Sequence, residues 1–435
     1  MNFQKLCVLG LGYIGLPTAS TFAINGVKVL GVDVNPHVVE TLQKGDIHIH
    51  EPGLRDIVTQ AIQSGNFTAS TKPEEADAFL IAVPTPFKEH ELGDYNGQKY
   101  KLADMSAVTS ATEAILPHLR KGNLVILEST SPPRTTVDLV KPILERSGLK
   151  AGVDFYLCYS PERVLPGQIL RELVENARVV GGITPESAKA GCDLYATFVK
   201  GKIIETDATT AEMVKIMENT TRDVNIAIAN EFSRLAEKFG VDVWEAINLA
   251  NLHPRINILS PGPGVGGHCI SVDPWFLVEA APELTPLIYN ARKVNDAQPH
   301  FVVEKAKQAL GDLKNKRIAA LGLAYKPDVD DLRESPATEV IHLLQQDGAE
   351  VKAWEPFKPD AKLNEIQIAS NFDEAIKEAD LMLLLVKHTE FVKLDPQELL
   401  SKTKARLAMD TVNAWNVEDW QLAGFKVYRL GDSKS

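Results

Sequence analysis

Cys269 closes a run in which Gly262, Gly264, Gly266 and Gly267 are interleaved with Pro261 and Pro263, and Asp273 follows it by four residues. Glycine and proline at that density leave little room for regular structure, so the backbone is shaped for a close approach. If Val272-Asp273-Pro274 opens a helix, the carboxylate sits near the thiol side of its first turn. The thiol then feels the positive end of the helix dipole, which favours thiolate. That is the setting of a presented nucleophile. The alternative is a tight turn ending in a buried structural cysteine, since free cysteine is among the most buried residue types. Lys215 and Asn219 form a second candidate pair, one helical turn apart beside the apolar Val214 and Met217. The lysine is either a solvated surface residue or, paired with the asparagine, aimed into a cleft.

These residues need a frame. Near the start, the apolar run Lys5 to Leu9 leads into Gly10-Leu11-Gly12-Tyr13-Ile14-Gly15, a helical stretch Leu16 to Asn25, and a second strand Lys28 to Val32 ending at Asp33. Strand, glycines, helix, strand and acid in this order are the dinucleotide-binding pattern. Asp33 is placed to accept from the ribose hydroxyls and to repel a 2′-phosphate, so NAD is expected over NADP. Further strands at Ala78 to Val83, Leu124 to Glu128 and Tyr156 to Tyr159 end in polar loops that carry Thr85, Thr130 and Glu162, where ligands of an open α/β sheet bind. Glu162 is either catalytic or a capping acid. Glu89 to Lys101 reads as a surface loop.

After Asp207 the pattern changes. From Thr210 to Phe239 apolar residues recur at helical spacing, including Met213, Ile216, Met217, Val224, Ile228, Phe232, Leu235 and Phe239. This predicts one helix of roughly 30 residues, about 45 Å long. Helices are also expected at Val243 to Ala250, Pro274 to Ala281 and Leu287 to Leu310, the last kinked or split by Pro299. From Arg317 strands and helices alternate again. The fold class is therefore α/β, with two doubly wound Rossmann-like domains joined by a central helical domain, divided at 1–206, 207–313 and 314–435. The turn Gly322 to Pro327 lacks the full glycine pattern, so the second domain binds something other than the same dinucleotide. Arg333 is a phosphate clamp or a salt-bridge partner.

The net charge of -12 argues against a nucleic-acid partner. Four scattered cysteines without CxxC spacing suggest reduced thiols and no metal site. The chain enters a strand almost at once and no apolar run reaches bilayer-spanning length, so no membrane partner and a cytoplasmic location are expected.

Together, Gly10 to Gly15, Thr85, Thr130, Ser160-Pro161-Glu162-Arg163, Lys215 with Asn219, Gly264 to Asp273, Gly322 to Lys326 and Arg333 resemble, in order and over essentially the whole chain, the UDP-glucose/UDP-N-acetylmannosamine dehydrogenase superfamily. His268 before the cysteine resembles the N-acetylhexosamine branch, where UDP-glucose enzymes tend to carry serine. With Val83 to Phe87 and Arg222 to Asn225, the run Pro261 to Phe276 implies UDP-N-acetyl-D-mannosamine as substrate, ahead of its gluco and galacto epimers and UDP-glucose.

The resemblance implies four-electron oxidation of a C6 alcohol with two NAD⁺, the intermediate aldehyde trapped on Cys269 and oxidised to a thioester. By the same resemblance Lys215 and Asn219 stabilise oxyanions, Asp273 positions water or accepts its proton, and Glu162 assists hydrolysis through a water held by Thr130. Gly10, Gly12, Tyr13, Ile14, Gly15, Asp33, Thr85, Thr130 and Arg333 are the implied cofactor residues. The implied substrate residues are Glu162, Arg163, Lys215, Asn219, Arg255, Asn257, Gly264, Gly266, His268, Tyr325 and Lys326. Arg255 reaching a neighbouring subunit implies a homodimer built on the long helix. Two rivals differ in class: a duplicated-Rossmann dehydrogenase making one hydride transfer without a nucleophilic cysteine, and a non-catalytic nucleotide-sugar-binding protein.

Overall fold

The computed structural model describes residues 3–49, 51–267 and 269–434. The chain forms two compact units, Met1–Glu218 with Trp275–Leu284, and Asn219–Pro274 with Thr285–Ser435.

In the first unit the strands are β1 (Lys5–Leu9), β2 (Lys28–Val32), β3 (Phe67–Ser70), β4 (Ala78–Ile81), β5 (Phe87–Tyr95), β6 (Gln98–Ala103), β7 (Leu124–Leu127), β8 (Tyr156–Tyr159), β9 (Arg178–Gly182) and β10 (Ile203–Asp207). Eight of them make one sheet in the order β10-β9-β8-β7-β4-β1-β2-β3. All its pairings are parallel except β8 with β9. The central strands are continuous apolar runs because both faces are covered. Leu6, Val8, Leu80, Leu124 and Ile126 pack into one layer, and Cys7, Leu9, Phe79, Ile81, Val125 and Leu127 into the other. The order in which strands are added to the sheet reverses between β1 and β4, the switch point at whose carboxyl ends a doubly wound sheet leaves a crevice.

The expected loop Glu89 to Lys101 is instead the antiparallel hairpin β5–β6. Its turn is Asn96-Gly97, both at positive φ, with Asp94 accepting from the Gly97 N–H at 3.0 Å. Asn-Gly supplies the left-handed pair that a tight hairpin demands, and the charged flanks hid that signal.

The second unit holds β11 (Arg317–Leu321), β12 (Glu350–Trp354), β13 (Gln367–Ile368), β14 (Leu381–Leu384), β15 (Leu407–Asp410) and β16 (Lys426–Arg429), all parallel, in the order β13-β12-β11-β14-β15-β16. The stretch Leu287 to Leu310 splits into helices Pro286–Asp296 and Gln298–Leu310, with Pro299 in the first turn of the latter, where a missing N–H costs nothing.

The long helix runs Ala208–Phe239, 32 residues. Its apolar stripe is divided, with Ile216 buried and Met213 and Val224 half-buried. Met217, Ile228, Phe232, Leu235 and Phe239 are exposed, whereas Glu212, Lys215, Thr220, Asp223, Asn230 and Ser233 are buried.

Candidate active site

In the first unit the glycine turn after β1 divides its labour. A Cβ on Gly15 would lie 1.9 Å from the Gly10 carbonyl oxygen, so this glycine exists for packing of helix Gly15–Ile24 on the turn. Among the described residues a Cβ on Gly12 would meet nothing within 4 Å. The Gly12 backbone therefore faces open space rather than the protein. Asp33, at the end of β2, accepts from the Leu11 N–H at 3.0 Å and the Asn35 N–H at 2.9 Å, which fixes its carboxylate beside the turn. Thr85, beyond β4, donates to the Thr130 carbonyl beyond β7 at 2.7 Å. The two strand-end loops are therefore joined at the crevice.

Glu162 follows β8. One of its oxygens accepts from the Arg163 N–H at 2.7 Å, and the other is hydrogen-bonded to Arg178 on β9. Arg163 in turn reaches Glu218 on the long helix at 2.8 Å and the Ala177 carbonyl. The same helix is pinned nearly two turns earlier: buried Glu212 accepts from the Arg134 N–H at 2.5 Å and from the N–H and hydroxyl of Thr136 at 2.8 and 2.6 Å. Burial pushes the Glu212 carboxyl upward against those donors. Lys215, between the two anchors, is buried.

In the second unit, Cys269 is exposed, while Cys7, Cys158 and Cys192 are buried. Burial pushes the Cys7 thiol up to about 12 and that of Cys192 up to about 11, so these are inert protonated thiols. The buried-structural alternative for Cys269 is thereby removed. Its carbonyl accepts from the Asp273 N–H at 2.9 Å, and helix Asp273–Ala280 begins there. Asp273 is buried and accepts from the Asn219 amide at 2.5 Å, which brings two of the expected residues into contact.

The close approach that the glycines allow is to the protein itself. A Cβ on Gly266 would lie 2.4 Å from the Glu334 carbonyl, and one on Gly267 2.9 Å from the Tyr325 ring. The cysteine loop thus lies directly on the segment carrying Tyr325 and Lys326. His268 lies outside the described residues. Ahead of the loop, asparagine side chains hold the extended chain. Asn225 contacts the Asn257 carbonyl and the Leu259 N–H at 2.8 and 2.9 Å, and Asn251 contacts both backbone groups of Ile258. Arg255 and Asn257 are exposed, and Arg333 forks onto Asp331 at 2.8 and 2.7 Å.

Three family models match along the chain: the NAD binding domain of the UDP-glucose/GDP-mannose dehydrogenase family at residues 4–199, its central domain at 209–297 and its UDP binding domain at 319–417. The chain belongs to the UDP-glucose/GDP-mannose dehydrogenase family. It is 48% identical to the UDP-N-acetyl-D-mannosamine dehydrogenase of Methanocaldococcus jannaschii, over 99% of this chain and 97% of that one. It is 47% identical to an NDP-N-acetyl-D-galactosaminuronic acid dehydrogenase of Ralstonia solanacearum, over 96% and 98%. The solved UDP-N-acetyl-mannosamine dehydrogenase of Staphylococcus aureus superposes with a TM-score of 0.88 at 45% identity, covering 99% of each chain. As a member of this family the chain is an NAD-dependent dehydrogenase with a UDP binding domain.

Several residues around the site escape sequence reasoning. Glu128 and Arg178 form a buried pair behind Glu162, and buried Glu51 accepts from the Gly167 and Ile169 N–H groups at 2.8 and 2.9 Å, tying down the loop beyond Arg163. Glu128 did carry a signal: like Asp33, it is an acid that directly ends an apolar strand. Among the described residues no helix is long and apolar enough to cross a membrane.

Proposed function

We propose that this enzyme oxidises the C6 alcohol of UDP-N-acetyl-D-mannosamine to the carboxylate in two hydride transfers through a covalent intermediate on Cys269. The observation that carries this reading is the exposed thiol on a loop locked by Tyr325, one turn ahead of an Asp273 already hydrogen-bonded to Asn219. The names of the relatives support the sugar.

Bound NAD⁺ supplies the hydride acceptor, one hydride for each nicotinamide. Gly10, Gly12, Tyr13, Ile14 and Gly15 would form the turn that receives it, Asp33 would accept from its ribose hydroxyls, and Thr85, Thr130 and Arg333 would complete the cofactor contacts. Overall the alcohol, two NAD⁺ and water give the carboxylate, two NADH and three protons. After the first hydride leaves, the Cys269 thiolate adds to the aldehyde carbon, and the second hydride leaves the resulting thiohemiacetal to give a thioester. Water then attacks, the new C–O bond replaces C–S, and the thiolate is released. Lys215 and Asn219 stabilise the oxyanion at each tetrahedral stage. Asp273 holds the water or takes its proton, and Glu162 assists with Thr130. Arg163, Arg255, Asn257, Gly264, Gly266, His268, Tyr325 and Lys326 bind the UDP-sugar. In this reading 1–206 binds NAD, 207–313 is the helical middle and 314–435 holds UDP.

The test is turnover across UDP-N-acetyl-D-mannosamine, its gluco and galacto epimers and UDP-glucose, with NADH counted against sugar consumed. Two NADH per sugar are expected, with the manno epimer best in kcat/KM. One NADH per sugar would refute the covalent route, and a better galacto epimer would move the assignment toward the Ralstonia relative's activity. NAD⁺ is expected to outperform NADP⁺ by about tenfold or more, because one carboxylate both binds the ribose and opposes a 2′-phosphate. Equal kcat/KM for the two cofactors would overturn the role of Asp33.

We also propose a homodimer built on the long helix. Ile228, Phe232, Leu235 and Phe239 repeat at alternating spacings of four and three on one exposed stripe, the pattern of a helix seam. Phe232→Asp is expected to halve the mass in analytical ultracentrifugation. A monomeric parent protein, or an unaltered dimer in this variant, would rule the seam out.

A further inference from the structure

We infer that Arg178 is a positioning residue for Glu162, and that Glu128, seated on the same guanidinium, governs how firmly Glu162 is held. The inference rests on the reading that Glu162 assists thioester hydrolysis. The guanidinium of Arg178 reaches Glu128 and the Ser160 hydroxyl, each at 3.2 Å, through one nitrogen, and Glu162 through the other. Its planar group lies over the Tyr195 ring, 4.2 Å from the centroid, and the Tyr195 hydroxyl donates to Glu128 at 2.8 Å. All four side chains that face one another here are withdrawn from solvent, with side-chain exposures of 4% for Arg178, 0% for Glu128 and 8% for Glu162, and Tyr195 fully buried.

One buried cation therefore faces two buried carboxylates. Ionising both leaves a net negative charge in a medium that solvates it poorly, so one carboxyl gives way. The geometry selects Glu128. Among the described residues its second oxygen has no hydrogen-bond partner, whereas both oxygens of Glu162 are occupied by Arg163 and Arg178. Burial pushes Glu128 up to about 7 against the pull of Arg178, and Glu162 adds to the rise. Below that range Glu128 is neutral and Arg178 is committed to Glu162. Above it the guanidinium is shared between two charges and its hold on Glu162 loosens. The titratable and charged groups facing Glu128 are Arg178 from β9, Glu162 from the loop after β8 and Tyr195 from helix Pro185–Tyr195.

The second stage of the reaction is where this matters. Water must lose a proton as its oxygen bonds to the thioester carbon and the C–S bond breaks, and a carboxylate displaced by an ångström is a poor partner for that proton. Arg178→Lys keeps the charge but loses the fork that spans two carboxylates.

The experiment follows both NADH release and Cys269 thioester accumulation, by rapid quench and intact-mass analysis, in the full-length enzyme across pH 5.5 to 9. Arg178→Lys is expected to lower kcat about tenfold or more, with KM for the UDP-sugar little changed and thioester building up. In Glu128→Gln the hydrolysis rate is expected to lose its inflection near neutral pH. Glu128→Gln keeps the volume and the Arg178–Glu162 bond, so it remains informative if the lysine variant fails to fold. An unchanged kcat–pH profile in Glu128→Gln overturns the inference. If in addition Glu162→Gln accumulates thioester, the role of Glu162 stands and only the role of its neighbours falls. If Glu162→Gln hydrolyses thioester normally, both fall together.

Discussion

Replacing Cys269 by serine is expected to lower the rate of complete oxidation by on the order of 10³-fold or more, with UDP-sugar affinity within about twofold of the parent. The reason lies in acidity. A thiol is intrinsically far more acidic than an alcohol, and Asp273, the first residue of the helix that follows, is hydrogen-bonded to Asn219. A serine hydroxyl in the same place needs a base strong enough to remove a far less acidic proton, and the expected machinery supplies none dedicated to that task. Binding is spared because the contacts assigned to the sugar nucleotide come from other side chains and from backbone that the loop already fixes against Tyr325 and Glu334. None of the three remaining cysteines can substitute, since each is buried with its thiol pushed upward. The measurement is NADH formation at saturating substrate alongside calorimetric titration of the variant with UDP-sugar. Near-normal conversion to the uronate in the serine variant would remove the covalent step, and a large loss of binding would show that Cys269 has a ground-state role instead.

What the sequence disclosed about this site, and what it withheld, follows the range of the interactions. The first turn was legible because strand, glycines, helix and acid are consecutive, and the structure places Asp33 on the backbone of that same turn. The split at Pro299 was legible because it is a property of one residue. The Glu128–Arg178 pair was not, for its members stand 50 positions apart and meet only once β7, β8 and β9 lie side by side. The antiparallel entry of β9 also has no local mark. In the long helix periodicity gave the element but not its buried face, because the pattern of large apolar residues is the same whether they meet this chain's core or another surface. The cysteine loop shows a third kind of limit. Its glycines announce a close approach without naming the partner, and the partners are the Tyr325 ring and the Glu334 carbonyl.

The glycines of the first turn allow a sharper experiment, because the structure separates those packed against protein from the one that faces open space. Gly15→Ala is expected to destabilise the first unit by about 3 kcal/mol or more, since its new methyl would lie 1.9 Å from the Gly10 carbonyl oxygen and neither backbone segment can retreat. Gly10 cannot yield: a Cβ there would already sit 2.4 Å from the Ala82 carbonyl, so the turn is held tightly against the end of β4. Gly12→Ala meets no atom of the described residues within 4 Å, so its melting temperature without cofactor is expected to match the parent. If the pyrophosphate approaches this turn as proposed, the same methyl stands in its way, and NAD⁺ affinity is expected to fall about tenfold or more. Thermal unfolding with and without NAD⁺ checks both at once. The parent should gain stability on adding NAD⁺, whereas Gly12→Ala should gain little at the same concentration. If Gly12→Ala is stabilised by NAD⁺ as much as the parent, the pyrophosphate lies elsewhere. If instead Gly15→Ala melts like the parent, the packing role assigned to this turn is wrong.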